Sequence, residues 1–100
     1  MLNQPKQKTI LWVSKAVPPF IMGAHFETTT SGKTAVERWR TQNYTLTLVD
    51  TGALNDGFTG FDVVRNIRSL SQTSMVYMMS GNTQGPEAML AARMRVNGFI

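Results

Sequence analysis

The sequence predicts an α/β fold built on a parallel sheet, and three observations lead to this prediction. Short apolar runs of strand-forming residues alternate with amphipathic helical patterns along most of the chain. Such alternation is typical of parallel strands joined by right-handed crossovers. Several of the strand-like runs are apolar throughout, as expected of strands that are covered on both faces. The length of 100 residues corresponds to one domain of small size.

The first part of the chain predicts two strands and one helix. The run at 9–13, TILWV, is almost wholly apolar and predicts a strand buried on both faces. The Pro18-Pro19 pair in the following segment prevents a regular helix there. Residues 25–30, HFETTT, predict a strand nearer a sheet edge. Ser31 is a suitable N-cap for a helix over 32–42, which carries an apolar stripe.

The second part of the chain continues the alternation. Pro86 suits the first turn of a helix, where its missing N–H costs nothing. We expect that helix to end at Asn97-Gly98, a favourable C-terminal cap pair. The predicted elements of this part are strands at 44–49, at 74–79 and from 98 onward, and helices at 60–69 and 86–96.

Composition limits the classes of function. The chain has no cysteine and one histidine, His25, which excludes disulfides, thiolate metal sites and histidine clusters. No apolar run approaches the roughly 20 residues that a membrane span needs, and the N-terminus lacks a signal-peptide core. We therefore expect a cytoplasmic protein. The net charge is +4, but the ten basic residues are scattered, so we do not expect nucleic-acid binding.

One short motif is reminiscent of a phosphate-binding loop. Residues 31–34, SGKT, contain the GKT of a P-loop. The motif requires a glycine five positions before Gly32, where this chain has Glu27. We interpret Lys33 as a surface residue at the start of a helix. The basic pairs Arg38/Arg40 and Arg65/Arg68 are likewise interpreted as parts of solvated helix faces.

Three polar residues follow predicted strands. Ser14, Asp50 and Ser80 each stand at the carboxyl end of one strand. In an open parallel sheet these ends lie at one edge, and ligands bind there near the switch in strand order. A lone acid after a strand is most often a turn or capping residue. Because Ser14 and Ser80 are expected at the same edge, Asp50 has a second interpretation, as the centre of a functional site.

With these residues in this order, the chain resembles the receiver domain of two-component response regulators and hybrid histidine kinases over residues 8–100. The resemblance rests on YTLTLVDTGALNDGFTGFDVVRNIRS and MVYMMSG, with TSGKTAVERW and ARMRVNGFI in support. It implies a flavodoxin-like, doubly wound parallel sheet and a signalling module of a phosphorelay rather than an enzyme. Residues 1–7 would be an N-terminal extension, and 8–100 a receiver-like domain that is incomplete at its C-terminus.

The resemblance also assigns roles to individual residues. It makes Asp50 the phosphoacceptor, which would receive a phosphoryl group from a histidine kinase or phosphotransfer protein. Ser80 and Gly81 would contact the phosphoryl oxygens, and Phe99 would be the aromatic switch on the fifth strand. The signal would pass to an output domain or another partner protein.

The chain departs from the family pattern at the metal site. The family has two acidic residues after the first strand, and this chain has Ser14-Lys15. A Mg²⁺ ion would have only Asp50, the Gly52 carbonyl and Ser14 as ligands, a weak set for a hard cation. Lys15 could stand beside Asp50 as a built-in cation, although a solvent-exposed Lys15 is the favoured interpretation. The family's lysine would lie beyond Ile100.

The predicted function is therefore a degenerate receiver that acts through protein–protein contacts. Two alternatives stay open, namely a fully working phosphoacceptor and a small flavodoxin-like ligand-binding protein. The first helix is expected to be reduced and the fifth absent, and in the receiver arrangement both cover the same sheet face. We expect a second copy, a swapped element or the rest of a longer protein to cover that face. Its candidate residues are Ile10, Trp12, Leu46, Leu48, Val76 and Met78.

Overall fold

The computed structural model describes residues 8–20, 22–80 and 85–100, so the predicted extension at 1–7 lies outside the described residues. Five parallel strands form one sheet in the order β2-β1-β3-β4-β5. The predicted α/β class and parallel sheet are confirmed. The elements in chain order are β1 (Lys8–Val13), β2 (Ala24–Thr29), α1 (Gly32–Thr41), β3 (Leu46–Asp50), α2 (Gly60–Leu70), β4 (Val76–Met79), α3 (Pro86–Arg93) and β5 (Gly98–Phe99).

The three helices pack on one face of the sheet. Alternate strand residues point to this face and meet the apolar stripes of the helices. None of the described helices is long and apolar enough to cross a membrane. The buried residues of this main core are Leu11, Val13, Ala35, Val36, Val49, Leu54, Val63, Val64, Ile67, Val76, Met78 and Ala91.

The opposite face, called the open face below, is formed by strand residues alone. Val76 and Met78 were expected on it but lie on the helix-covered face, and Tyr77 and Met79 take their place. The register explains the correction, because Leu48 pairs with Tyr77 across β3 and β4. A run that is apolar on both sides carries no alternation from which the faces could be assigned. The clustered apolar residues of the open face are Ile10, Trp12, Ala24, Phe26, Leu46, Leu48, Tyr77 and Met79.

The open face is less exposed than the sequence led us to expect. Ile10, Trp12 and Leu48 at its centre are only 7–9% exposed, although no helix of the described residues packs on them. The ring of Trp12 meets that of Phe26 edge to face at 6.0 Å, and its Nε1 donates to the Ala16 carbonyl at 2.7 Å. Neighbouring side chains and the start of the next connection therefore shield the centre of this face.

The connection from β1 to β2 contains no helix within its described residues 14–20 and 22–23, as the Pro18-Pro19 pair predicted. β2 lies on one side of β1 and β3 lies on the other. The connections β1–β2 and β2–β3 therefore cross the sheet in opposite directions. Right-handed crossovers then place the first connection on the open face and α1 on the other face. Among the described residues, the most exposed large apolar side chains are Val17, Phe20 and Met22 of this connection, at 85–89%.

The last helix ends earlier than its sequence predicts. α3 stops at Arg93, and Arg95 adopts a left-handed conformation with φ of 60°. Asn97 and Gly98, which were expected to cap this helix, make other contacts. The Asn97 side chain accepts a hydrogen bond from the Val76 backbone N–H at 2.8 Å, and Gly98 belongs to β5. A side chain at Gly98 would overlap the Tyr77 ring, so packing against β4 requires the glycine.

Arg68 joins three segments at the amino-terminal edge of the sheet. Its guanidinium donates to the carbonyls of Ser71, Ser74 and Arg95, the last at 2.8 Å, and to the Asn97 side chain. Burial, with a smaller effect from the charge of Arg95, lowers the pKa of Arg68. The prediction that this basic pair belongs to a solvated helix face is therefore correct for exposed Arg65 and wrong for Arg68.

Candidate functional site

Ser14, Asp50 and Ser80 meet at the carboxyl edge of the sheet, where the sequence placed them. They line a pocket of about 190 Å³ together with Trp12, Ala16 and Met79. The chain leaves β1 toward β2 on one side and β3 lies on the other, so this edge is the switch point in strand order. Asp50 is the last residue of β3 and is half-buried.

The Asp50 carboxylate has an internal partner on each oxygen. Oδ1 accepts a hydrogen bond from the Gly52 backbone N–H at 2.9 Å. Oδ2 accepts one from the Ser14 hydroxyl at 3.1 Å. Ser14 is only 4% exposed, and its oxygen accepts from the Ala16 N–H at 3.0 Å, so its single proton points at Asp50. Ser14 therefore donates to the residue that the resemblance makes the phosphoacceptor.

The loop after Asp50 lies close against the end of β3. The Gly60 N–H donates to the Gly52 carbonyl at 3.3 Å, which closes the loop. A Cβ at position 60 would overlap the Asp50 carbonyl oxygen, so only glycine fits there. The glycines in this loop were visible in the sequence, but the need for one at this position depends on a contact that only the fold creates.

The structure does not bring Lys15 to Asp50. The Lys15 side chain is exposed. Within the part of the chain that the structure describes, the ion pair of Arg65 with Asp62 is the only one. Lys15 instead lines a neighbouring pocket of about 550 Å³, together with residues 14, 16–18 and 28–30.

The three residues expected to sense a phosphoryl group are placed differently. Ser80 lines the Asp50 pocket, but its hydroxyl donates to the Glu87 carboxylate in the first turn of α3 at 3.1 Å. Phe99 pairs with Met78 and packs, half-buried, against the main core. Gly81 lies outside the described residues.

The residues at this edge do not fit a Mg²⁺ ion. The residues that line the Asp50 pocket supply one carboxylate, and both of its oxygens already accept hydrogen bonds from Ser14 and Gly52. The nearby Glu87 carboxylate accepts from Ser80. The Ser14 hydroxyl is neutral and the Gly52 carbonyl accepts from Gly60. Magnesium binds strongly where carboxylates and ligand phosphates surround it. Within residues 8–20, 22–80 and 85–100, no group of three or more histidine, aspartate or glutamate side chains could hold a metal ion.

A second carboxylate has a role that the sequence did not reveal. Asp56, in the loop between β3 and α2, accepts hydrogen bonds from the backbone N–H groups of Gly32 and Lys33, at 3.1 and 2.8 Å. It also accepts from the Ser31 hydroxyl at 2.8 Å. These bonds, the Lys33 N–H foremost, lower the pKa of Asp56 to about 2. Asp56 is followed by Gly57, which signals a turn, but the 24-residue reach to α1 has no local signal.

Asp56 also decides the interpretation of the SGKT stretch. A helix N-terminus binds anions through its free N–H groups. At α1 the Asp56 carboxylate takes two of them and the Ser31 side chain takes the Thr34 N–H. The start of this helix is therefore filled by an internal anion, in agreement with the expected surface role of Lys33.

Comparison with known proteins was made by sequence and by structure. No family model matches the sequence, and no curated protein matches it. Solved structures do match. Vibrio cholerae chemotaxis protein CheY4 has a TM-score of 0.80 and 15% identity, and the match covers 95% of this chain and 86% of CheY4. The chain has the fold of response regulator receiver domains.

Two further structures with this receiver fold were determined with ligands. The receiver domain of sensor histidine kinase PA1611 from Pseudomonas aeruginosa has a magnesium ion in its active-site cleft, with a TM-score of 0.78, 16% identity and 95% and 84% coverage of the two chains. Response regulator TrrA from Thermotoga maritima was solved in complex with Mg²⁺-BeF, with a TM-score of 0.71, 16% identity and 93% and 84% coverage. At such identities the likeness shows the flavodoxin-like fold alone.

Proposed function

We propose that this chain is a degenerate receiver-like module of two-component signalling, with Asp50 as a nominal phosphoacceptor and with output through protein–protein contacts. Its partners would be a histidine kinase or phosphotransfer protein and an output protein, and the module itself would not be an enzyme. The observation that carries the proposal is the hydrogen bond from Ser14 to the Asp50 carboxylate.

The chemistry of phosphoryl acceptance explains why this bond matters. An aspartate attacks phosphorus through a carboxylate oxygen, which becomes a weaker nucleophile when it accepts hydrogen bonds, and a divalent cation must neutralise the transferring group. Here the Ser14 proton and the Gly52 N–H engage the two oxygens. Where acidic side chains would attract a cation, Ser14 is neutral and Lys15 is positive. Both differences oppose metal-assisted transfer to Asp50.

The test uses beryllofluoride with Mg²⁺, a mimic of the phosphoryl group, while amide NMR shifts are recorded. We expect no shifts at Asp50, Ser80 or Phe99 in the wild-type chain. The double variant Ser14→Asp with Lys15→Asp should gain a Mg²⁺-dependent response, because it restores two carboxylates beside Asp50. Arg93→Asp with Arg95→Asn changes the net charge by the same amount at the opposite edge of the sheet, and should gain none.

The two alternatives give different results in the same experiment. Wild-type shifts centred on Asp50 would contradict the degenerate function and support a working phosphoacceptor. Shifts at the same edge with a small metabolite, and none with beryllofluoride, would support a ligand-binding protein. If Asp50→Asn abolished a wild-type response to beryllofluoride, this would further support the working phosphoacceptor.

We further propose that a second copy of the chain packs on the open face. The eight side chains of the apolar cluster on this face are uncharged, so two copies can place these clusters together without burying like charges between them, despite a net charge of +4. The exposed Val17, Phe20 and Met22 of the adjoining connection extend the apolar surface. Sedimentation velocity over a range of protein concentrations measures this association.

A further inference from the structure

A groove between α1 and α2 lies apart from the Asp50 pocket. It has a volume of about 350 Å³. Val36, which is 7% exposed, and half-buried Phe58 form its apolar base, since both belong to or pack against the main core. The groove is lined by Lys33, Val36, Glu37, Arg40, Phe58 and Asn66.

The cations of α1 and α2 differ in whether they have partners. The Arg38 guanidinium donates to the Thr28 carbonyl, Arg65 pairs with Asp62, and Arg68 binds several carbonyls. Lys33 and Arg40 make no side-chain hydrogen bond or ion pair with the described residues, and both line the groove. The two cationic side chains of these helices that have no partner among the described residues therefore line the same groove.

The charge of the rim favours an acidic occupant. Lys33 and Arg40 are positive and exposed, and Glu37 is the only acidic residue of the lining. Glu37 lies four residues after Lys33 and three before Arg40, yet it forms no ion pair within 4.0 Å with either described side chain. The rim thus carries two positive charges against one negative charge. An apolar base with a cationic rim is complementary to an apolar side chain flanked by carboxylates.

The groove is also connected to the Asp50 loop. Phe58 belongs to the loop that leaves Asp50, and its side chain packs directly on the backbone of Gly32, where a Cβ would overlap it. The Phe58 carbonyl accepts from the Leu54 N–H at 2.7 Å, and Asp56 holds the same loop to α1. An occupant of the groove would therefore contact the loop between Asp50 and α2.

We propose that this groove docks an acidic amphipathic helix of a partner protein. One large apolar side chain would lie on Val36 and Phe58, and carboxylates one helical turn away would contact Lys33 and Arg40. Recognition of a helix in a groove uses anchors of this spacing. The inference does not require Asp50 to accept a phosphoryl group, so it stands or falls separately from the proposed function.

The test measures binding of a fluorescein-labelled synthetic peptide of about four helical turns by fluorescence anisotropy. The peptide carries Leu at helical i, i+3 and i+4 positions and Glu on the flanking positions. We expect saturable binding that weakens at higher salt. The double variant Lys33→Glu with Arg40→Glu should weaken binding at least about tenfold, and Glu37→Gln should strengthen it about twofold. Amide NMR shifts should centre on Val36, Arg40 and Phe58.

Matched controls separate the groove from the net charge. Arg93→Glu with Arg95→Glu changes the charge equally on another surface and should leave the affinity within about twofold. A peptide with Ser for Leu tests the apolar anchor and should bind at least about tenfold more weakly. Absence of saturable binding, equal weakening by the Arg93/Arg95 variant, or equal binding of the Ser peptide would overturn the proposal. NMR of each variant confirms that it is folded.

Discussion

At the scale of single residues, Ser14 determines the chemistry of the candidate site. A carboxylate after β1 would repel Asp50 and attract a cation. The Ser14 hydroxyl instead donates to Asp50, which turns a potential metal ligand into a hydrogen-bond donor. The sequence predicted which residues meet at this edge, because strand ends of a parallel sheet converge. The direction of the hydroxyl proton depends on the Ala16 N–H, which occupies the serine oxygen.

Asp56 allows a pH-dependent prediction. Its folded-state pKa is about 2, below the ordinary value of 3.8. A lowered pKa stabilises the folded state at pH values above the ordinary pKa, and this stabilisation is lost as pH falls through the folded value. We expect Asp56→Asn to lower the urea midpoint at pH 7, and the difference from wild type to shrink between pH 3.8 and about 2.

Urea unfolding at pH 7, 5, 4 and 2.5 measures this difference. Asp62→Asn is a useful comparison, because the pKa of Asp62 is also lowered, foremost by the hydrogen bond from the Thr59 N–H. We expect Asp62→Asn to lower the urea midpoint at pH 7 as well. A difference between Asp56→Asn and wild type that stays constant over this pH range would contradict the role of the ionised carboxylate.

At the scale of elements, the sequence predicted existence and order well and boundaries less well. The sequence correctly predicted caps whose partners are local, such as Ser31, whose side chain accepts a hydrogen bond from the Thr34 N–H. The end of α3 was misplaced because Asn97 bonds to β4 instead of its own helix. The faces of β4 were not assignable because both are apolar. Each failure involves a contact between residues distant in sequence, which local patterns do not contain.

Arg68 provides a test of such a contact at this scale. It ties the end of α2 to the segments before β4 and β5. Arg68→Met removes these hydrogen bonds and should destabilise the protein by about 2 kcal/mol, since it leaves partly buried carbonyls without donors. Arg65→Met on the same helix removes only an exposed pair at 3.3 Å and should change stability by less than about 0.5 kcal/mol.

Equilibrium urea denaturation followed by circular dichroism compares the two arginine variants, provided that their m-values agree. Equal stabilities of Arg68→Met and Arg65→Met would show that the network contributes nothing beyond an ordinary surface residue. The comparison holds the helix, the side-chain length and the change in charge constant.

At the scale of the whole molecule, the helices are distributed unevenly. All three lie on one face of the sheet, and the open face consists of strand residues. The sequence indicated this arrangement through the prolines after β1. It did not indicate how much of the open face is shielded, because that depends on Trp12, Phe26 and the carbonyl of Ala16 meeting in space.

Sedimentation velocity over a hundredfold range of concentration tests association through the open face. We expect the wild-type chain to form a dimer, and Phe20→Ser with Met22→Ser to weaken it, because both side chains are more than 80% exposed in the single chain. Met89→Ser removes an exposed apolar side chain from α3 and should have no effect. A wild-type chain that is monomeric throughout this range would contradict the proposal.

The position of Trp12 has a practical consequence for spectroscopy. Its indole lines the Asp50 pocket, belongs to the open face and donates to the Ala16 carbonyl. The second tryptophan, Trp39, lies on α1 against the main core. A Trp39→Phe chain would therefore carry a single tryptophan, placed to report by its emission wavelength and quenching on events at both surfaces. Unlabelled protein could then be followed optically in real time.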